Sequence, residues 1–331
     1  MSHDIGHLHH VGHIVSDMIE ALALYRRLGF SLPAPAYPAL PPRDGSAPVP
    51  VGAANTHAEF PRNFVELVTC VREGEDSRIP SDAKIVPLQA PAEALAEIRD
   101  RIVNAGDMVA ERLDRFEGLH ILMFSAPDVD AVAARLRAAG VGHGGVTTVG
   151  RPIEASGGTR VEPIRFLEID SGEPAARSAT VPEGRVGVVA DLDPQTQTAR
   201  LTDHPNGAFD LVEVVSCVAG ADLVETEARY QDYLGRPARA DGPARVFDLD
   251  GARLVILPES DLATFLPGEH AAALPAFVAY AVAVRNIART EELLRNNGFP
   301  LERTGSGDLF VPAASALGAA IIFRQATHGR G

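Results

Sequence analysis

The chain has 331 residues, a length that suits two domains or one large domain with an internal duplication. Its formal net charge of −14 argues against a nucleic-acid partner, because its basic residues are almost all arginine and form no stripe. With 46% hydrophobic and 22% charged residues it reads as a cytoplasmic globular protein. No run approaches the ~20 apolar residues of a membrane helix, and no signal-peptide pattern opens the chain.

Residues 7–30, HLHHVGHIVSDMIEALALYRRLGF, pair a histidine-bearing strand (Leu8 to Val15) with a helix from Asp17 to Leu28. Met18, Leu22, Tyr25 and Leu28 recur at helical spacing, and Gly29 stops the helix. A histidine on a strand that faces a barrel interior can hold a metal. Residues 31–50 are rich in proline, which argues against helix and strand interiors, and read as a surface excursion or a cover over a pocket. Thr56 to Phe60 and Phe64 to Val71 follow as strands, then an extra helix over 91–114.

The opening pattern returns at Leu119 to Phe124, followed by a helix with Val129, Val132 and Leu136 as its stripe and Gly140 as its stop. Asp17 and Asp128 mark the two helix starts, Gly29 and Gly140 the two ends, and each pair is 111 residues apart. Aspartate before a helix and glycine after it are the expected caps. Pro163 to Ile169 reads as a strand, and 171–208 as the joint between halves. A third copy runs from Leu211 to a helix ending at Gly235, and a fourth from Phe277 to a helix ending at Gly298. Strands at Ala244 to Leu249, Ala252 to Leu257, Leu309 to Val311 and Ala319 to Phe323 complete them. Such units repeat because none buries its apolar face alone.

Cys70 and Cys217 lie in apolar runs and read as buried fillers. No Gly-rich loop follows a strand in the way a nucleotide site requires, and no Gly-x-Ser-x-Gly elbow is present. His3, His7, His9 and His13 read as packing or solvated residues, and His204, Asn206 and Gly207 as a turn. Glu66 is different: flanked by Phe64, Val65, Leu67 and Val68, it is costly to bury without a metal or cation partner.

Leu8-His9-His10-Val11-Gly12 with Ser16-Asp17, Tyr25 to Phe30 (YRRLGF), Gly52 to His57 (GAANTH), Phe64 to Leu67 (FVEL) and His204 to Ala208 (HPNGA) together resemble the vicinal oxygen chelate superfamily. That superfamily includes glyoxalase I, extradiol dioxygenases and bleomycin-resistance proteins, and the chain is similar to its four-module glyoxalase-like group. The resemblance implies an α+β fold of four βαβββ modules paired into two half-open barrels. The first pair would take residues 1–172, a linker 173–206 and the second pair 207–331.

The resemblance also implies a divalent ion (Zn, Mn, Fe or Ni) held by first and last strands of paired modules. By position His10 matches the first-strand histidine and Glu66 the last-strand glutamate. Glu168, in Phe166-Leu167-Glu168-Ile169, matches Glu66 in the second copy, and is also the candidate to move a proton. The 111-residue offset sets Ile121 against His10, with His120 one residue away and so on the other face unless a bulge intervenes. His57 and His120 are candidate substrate contacts. Glu213 lies near the first-strand site of the third copy, while Ala279 occupies that of the fourth, so the second half resembles a scaffold or substrate cover. The implied activity is that of a lyase, isomerase or oxygenase acting on a small oxygenated molecule, with a homodimer compatible. The alternative is a metal-free protein that sequesters a small molecule, although a chain with no Trp and 5% aromatic residues offers few walls for a planar ligand.

Overall fold

The same start and stop chemistry frames four strand–helix units. In the first, β1 (His7–Ile14) leads into α1 (Met18–Arg27), whose capping residue Asp17 accepts hydrogen bonds from the amides of Ile19 and Glu20. Gly29 leaves the helix at φ +84°, a conformation that costs glycine no Cβ clash. The second unit, β7 (Gly118–Ala126) and α3 (Val129–Ala138), repeats this with Asp128 as cap. The third is β12 (Ala208–Val218) and α4 (Leu223–Leu234), closed by Gly235, and the fourth β16 (Ala276–Val284) and α6 (Ile287–Asn296), capped by Asn286. Met18, Leu22, Tyr25, Val129, Val132 and Leu136, the expected stripes, are buried. The extra helix is α2 (Ala92–Arg115). This computed structural model describes residues 4–41, 46–71, 78–88, 92–155, 158–171, 180–191 and 203–326.

Each first strand sits between a parallel neighbour from its own unit and the antiparallel first strand of its partner unit. Thus β5 (Phe64–Val71) runs parallel to β1, which pairs antiparallel with β7, and β11 (Arg185–Ala190) runs parallel to β7. Outside these lie β4 (Gly52–Glu59) on β5, and β10 (Gly158–Asp170) with β9 (Thr147–Ala155) on β11. The second pair repeats the plan. β15 (Arg253–Pro258) is parallel to β12, β16 is antiparallel to it, and β19 (Ala320–Gln325) is parallel to β16. Short outer strands, β14 (Ala244–Asp248) and β18 (Leu309–Val311), flank these. The architecture is α+β with open sheets, joined between pairs where Phe277 meets Leu119.

Two expectations need correction. The linker 173–206 contains β11, so the second module ends near residue 190 and not near 170. The Pro-rich stretch carries β2 (Ala36–Leu40), which runs parallel to β6 (Lys84–Pro87). Proline's fixed φ is compatible with extended chain, and only its donor is missing. The Pro38 carbonyl still accepts from the Val51 amide at 2.9 Å.

The helical sides of the two pairs share one core, in which the Tyr25 and Tyr280 hydroxyls lie 3.1 Å apart and the Phe30 and Phe323 rings stack at 6.3 Å. His13 is fully buried there, between the Tyr25 hydroxyl at 2.8 Å and the Leu317 carbonyl at 2.6 Å. His204 and Asn206 form the expected turn, closed by a bond from the Gly207 amide to the His204 carbonyl, and bind Glu59, Leu28 and Ser31. Alternation along the strands therefore turns the opposite, concave faces away from this core. In the first pair that face carries Ile14, Val68, Ile121, Met123, Ile164 and Val189, packed with Val109 of α2. Gly12 lies under Ile121, where an added Cβ would come within 2.6 Å of that side chain. Gly12→Ala is therefore expected to cost about 1–3 kcal/mol in urea melts, with Ile121→Val restoring part of it.

Candidate functional site

The open end of this concave face gathers polar side chains from three strands. Glu66 on β5 stands opposite His57 on β4 and beside Gly12 on β1, and His10 lies one pleat along from Gly12. The His57 Nε2 is 3.5 Å from Glu66 Oε1, and the His10 Nε2 is 3.9 Å from Glu66 Oε2. Asn55 donates its amide to Oε1 at 2.7 Å. All three principal side chains are largely covered, at 12–16% exposure. The far imidazole nitrogens are engaged too: His10 Nδ1 with His9 Nδ1 at 2.6 Å, and His57 Nδ1 with Glu59 at 3.5 Å. Phe64 holds the rings in place, stacked on His10 at 4.5 Å and edge-on to His57 at 4.6 Å.

Burial is the largest single influence on Glu66 and opposes its ionisation. The hydrogen bond from His57, the charges of His10 and His57 and the Asn55 bond together outweigh it, and hold the carboxyl down at about 2. The site thus keeps an anion in a covered position by facing it with imidazoles.

The second module does not repeat this set. His10 pairs with Met123 and Gly12 with Ile121, so a two-fold relation with the 111-residue offset matches Ile121 to His10 and Met123 to Gly12. On β11, Arg185 lies beside Ile121 and Gly187 beside Met123. Gly187 is therefore the counterpart of Glu66, and Glu168, opposite Gly187 on β10, is the counterpart of His57. The match of Glu168 to Glu66 rested on β10 being the last strand, and β11 takes that place. Glu168 faces the same concave surface but binds Arg185 through both Nε and Nη2.

A bulge does intervene at His120: Gly12 pairs with Ile121 and His13 with Leu119, leaving His120 as the extra residue. Its ring nonetheless packs on Phe116 at 4.2 Å, and Nε2 meets the Phe116 carbonyl at 2.8 Å. Burial first, then the charges of Arg112, Arg115 and His13, outweigh that bond and push its pKa down to about 4. Glu213 is fully buried in the second pair and binds Arg253 and Arg324. Cys217 is buried, Cys70 partly so, and neither forms a disulfide.

Asn55, Glu59 and Arg185 had no role assigned from the sequence, and His9 read there as a packing or solvated residue. The alternation Asn55, His57, Glu59 was a readable signal, because period-two polar residues mark one face of a strand. Among the described residues, no group of three or more His, Cys, Asp or Glu stands at the spacing of a metal centre. The donors of His10, His57 and Glu66 lie wider than an ion would draw them. The fit to a metal rests on the chemistry of the set: two imidazoles and one carboxylate, with near nitrogens facing the carboxylate and far nitrogens held by outer partners.

The family model described as a glyoxalase-like domain matches residues 8–234. No curated protein matches the chain. Among solved structures it is similar to a mutant of 4-hydroxymandelate synthase from Streptomyces coelicolor, with TM-score 0.56 and 15% identity over 99% of this chain and 94% of that one. A hypothetical protein from Staphylococcus aureus aligns with TM-score 0.55 and 10% identity, over 96% of this chain and 99% of that one. A xylose isomerase-like TIM barrel/4-hydroxyphenylpyruvate dioxygenase fusion protein aligns with TM-score 0.55 and 11% identity, over all of this chain and 51% of that one. At these identities the likeness is one of fold, that of the vicinal oxygen chelate superfamily. Among the described residues no helix is long and apolar enough to cross a membrane.

Proposed function

Because the chain belongs to the glyoxalase-like domain family, we propose that it is a metal-dependent enzyme, an oxygenase, lyase or isomerase, acting on a small oxygenated molecule. His10, His57 and Glu66 would hold the ion. The observation that carries this reading is the pair of imidazole nitrogens turned onto one ionised, covered carboxylate at 3.5 and 3.9 Å. A divalent ion there (Zn, Mn, Fe or Ni) supplies Lewis acidity for a carbonyl or hydroxyl pair of the substrate.

The chain's own residues do the rest. Asn55 fixes the Glu66 carboxylate, His9 and Glu59 fix the two imidazoles, and Val109 of α2 closes the apolar end of the cup against water. Glu168, on the facing wall, is the carboxylate placed to take or return a proton, with Arg185 setting its orientation. His120 is turned to Phe116 and has no role in this reading.

Elemental analysis of freshly purified protein is expected to find one divalent ion per chain, and His57→Ala is expected to lose it and to melt at a lower temperature, since Glu66 then loses its principal partner. Protein that purifies and stays metal-free on incubation with each of the four ions would overturn the reading. The apolar wall that α2 sets in the cup favours a second reading, capture of a small molecule without turnover. Ligand-induced stabilisation of metal-stripped protein, with no product formed, would identify it.

A further inference from the structure

Two charged poles lie on the first concave surface, the His10/His57/Glu66 set and the Arg185–Glu168 pair. Glu66, Gly12, Ile121 and Arg185 are aligned residue to residue across β5, β1, β7 and β11. In-register neighbours point to the same face, so the Arg185 guanidinium shares the cup with His10 and Glu66. Three strand spacings of ~4.8 Å separate the two ends of that row. Its middle is Gly12, with no side chain, and the apolar Ile121, with Met123 in the next row. The row between the poles is therefore apolar, with Ile121 covering Gly12.

Arg185 is 27% exposed and its partner Glu168 19%. Both Nε and Nη2 converge on the same oxygen, Glu168 Oε1. Glu168 engages Nε and Nη2, which leaves the Nη1 donors on the other edge of the guanidinium. Gly187 lies opposite Glu168 and two residues from Arg185, and a Cβ there would come within 2.3 Å of the Leu167 carbonyl and 2.8 Å of the Met123 sulfur, so this position takes no side chain. A guanidinium with a spare donor edge in a half-covered cup matches the planar geometry of a carboxylate.

We infer that Arg185 is a specificity-determining residue, and that the substrate is an acid: a short molecule with vicinal oxygens at the His10/His57/Glu66 pole and a carboxylate at Arg185. The inference rests on the metal reading only for the first of these ends. Glu168 competes with the incoming carboxylate for the same guanidinium, and so tunes its affinity.

The test uses two probes that differ only at the far end, 2-hydroxyglutarate and 2-hydroxypentanoate, titrated calorimetrically into the full chain. Wild type is expected to bind the diacid at least about tenfold more tightly. Arg185→Met is expected to bring that ratio to about one, through weaker binding of the diacid. Glu168→Gln, which keeps the side chain's size, is expected to strengthen diacid binding. A diacid preference that persists in Arg185→Met overturns the inference, as does equal binding of the two acids by wild type or an unchanged diacid affinity in Glu168→Gln. The same titrations after EDTA treatment separate the two readings. If the ratio still depends on Arg185 while chelation changes neither affinity, the acid-binding end stands and the metal assignment fails.

Discussion

Alanine at Glu66 is expected to empty the first concave site of its ion, weakening divalent-metal binding by on the order of a hundredfold or more. The carboxylate is the point on which the His57 and His10 nitrogens converge, so its loss leaves two imidazoles without the charge that groups them. The same substitution has a second consequence, visible in metal-stripped protein. The carboxyl titrates at about 2 in the folded chain against 4.5 ordinarily, so as pH falls the unfolded chain takes up the proton first. Stability from ionised Glu66 is therefore complete above the unfolded value and lost as pH falls from about 4.5 to about 2, an effect of about 3 kcal/mol. Urea melts of wild type and Glu66→Ala across that window are expected to converge at the acid end and to diverge at neutral pH. Parallel profiles would mean that the imidazoles do not stabilise this carboxylate.

What the sequence made legible was mostly local. Asp17 and Asp128 before the helices, Gly29, Gly140, Gly235 and Gly298 after them, and the buried stripes of α1 and α3 are where the spacing put them. Those features depend on contacts within a turn or two of the same residue. The identity of a last strand does not: it depends on which segment lies parallel to β7, a choice made by the packed fold. That is why Pro163 to Ile169 read as the counterpart of β5 while Arg185–Ala190 was left in the joint, and why Glu168 was matched to Glu66 when its counterpart is His57. His10 and Glu66 were legible as a pair because their strands are adjacent and the resemblance supplied the positions. The roles of Asn55 and Arg185 needed the register, which spacing alone does not give.

Glu213→Ala is expected to be among the most destabilising substitutions in the chain, at about 3–5 kcal/mol. The carboxylate has no solvent exposure and faces two guanidinium groups, Arg253 and Arg324, the latter 3.2 Å away and also held by Asp308 at 2.8 Å. Its surroundings on the second concave face are apolar, with Val215, Val255, Ala281 and Ile322 in one cluster. Removing the anion takes from Arg253 its carboxylate and leaves Arg324 with Asp308 alone, which costs far more than the pair contributes over an apolar equivalent. A melting temperature lower by on the order of 5–10 °C is the expected readout. Replacing Glu213 and Arg253 together with apolar residues is expected to cost less than Glu213→Ala alone, since no uncompensated charge is then created at that position. Metal content separates the two halves of the molecule. The carboxylate of the second pair is committed to arginine, whereas that of the first is committed to imidazole, so Glu213→Ala is expected to leave the bound ion in place. A variant that kept its stability and lost its metal would move the site to the second pair and displace Glu66 from the role argued for it.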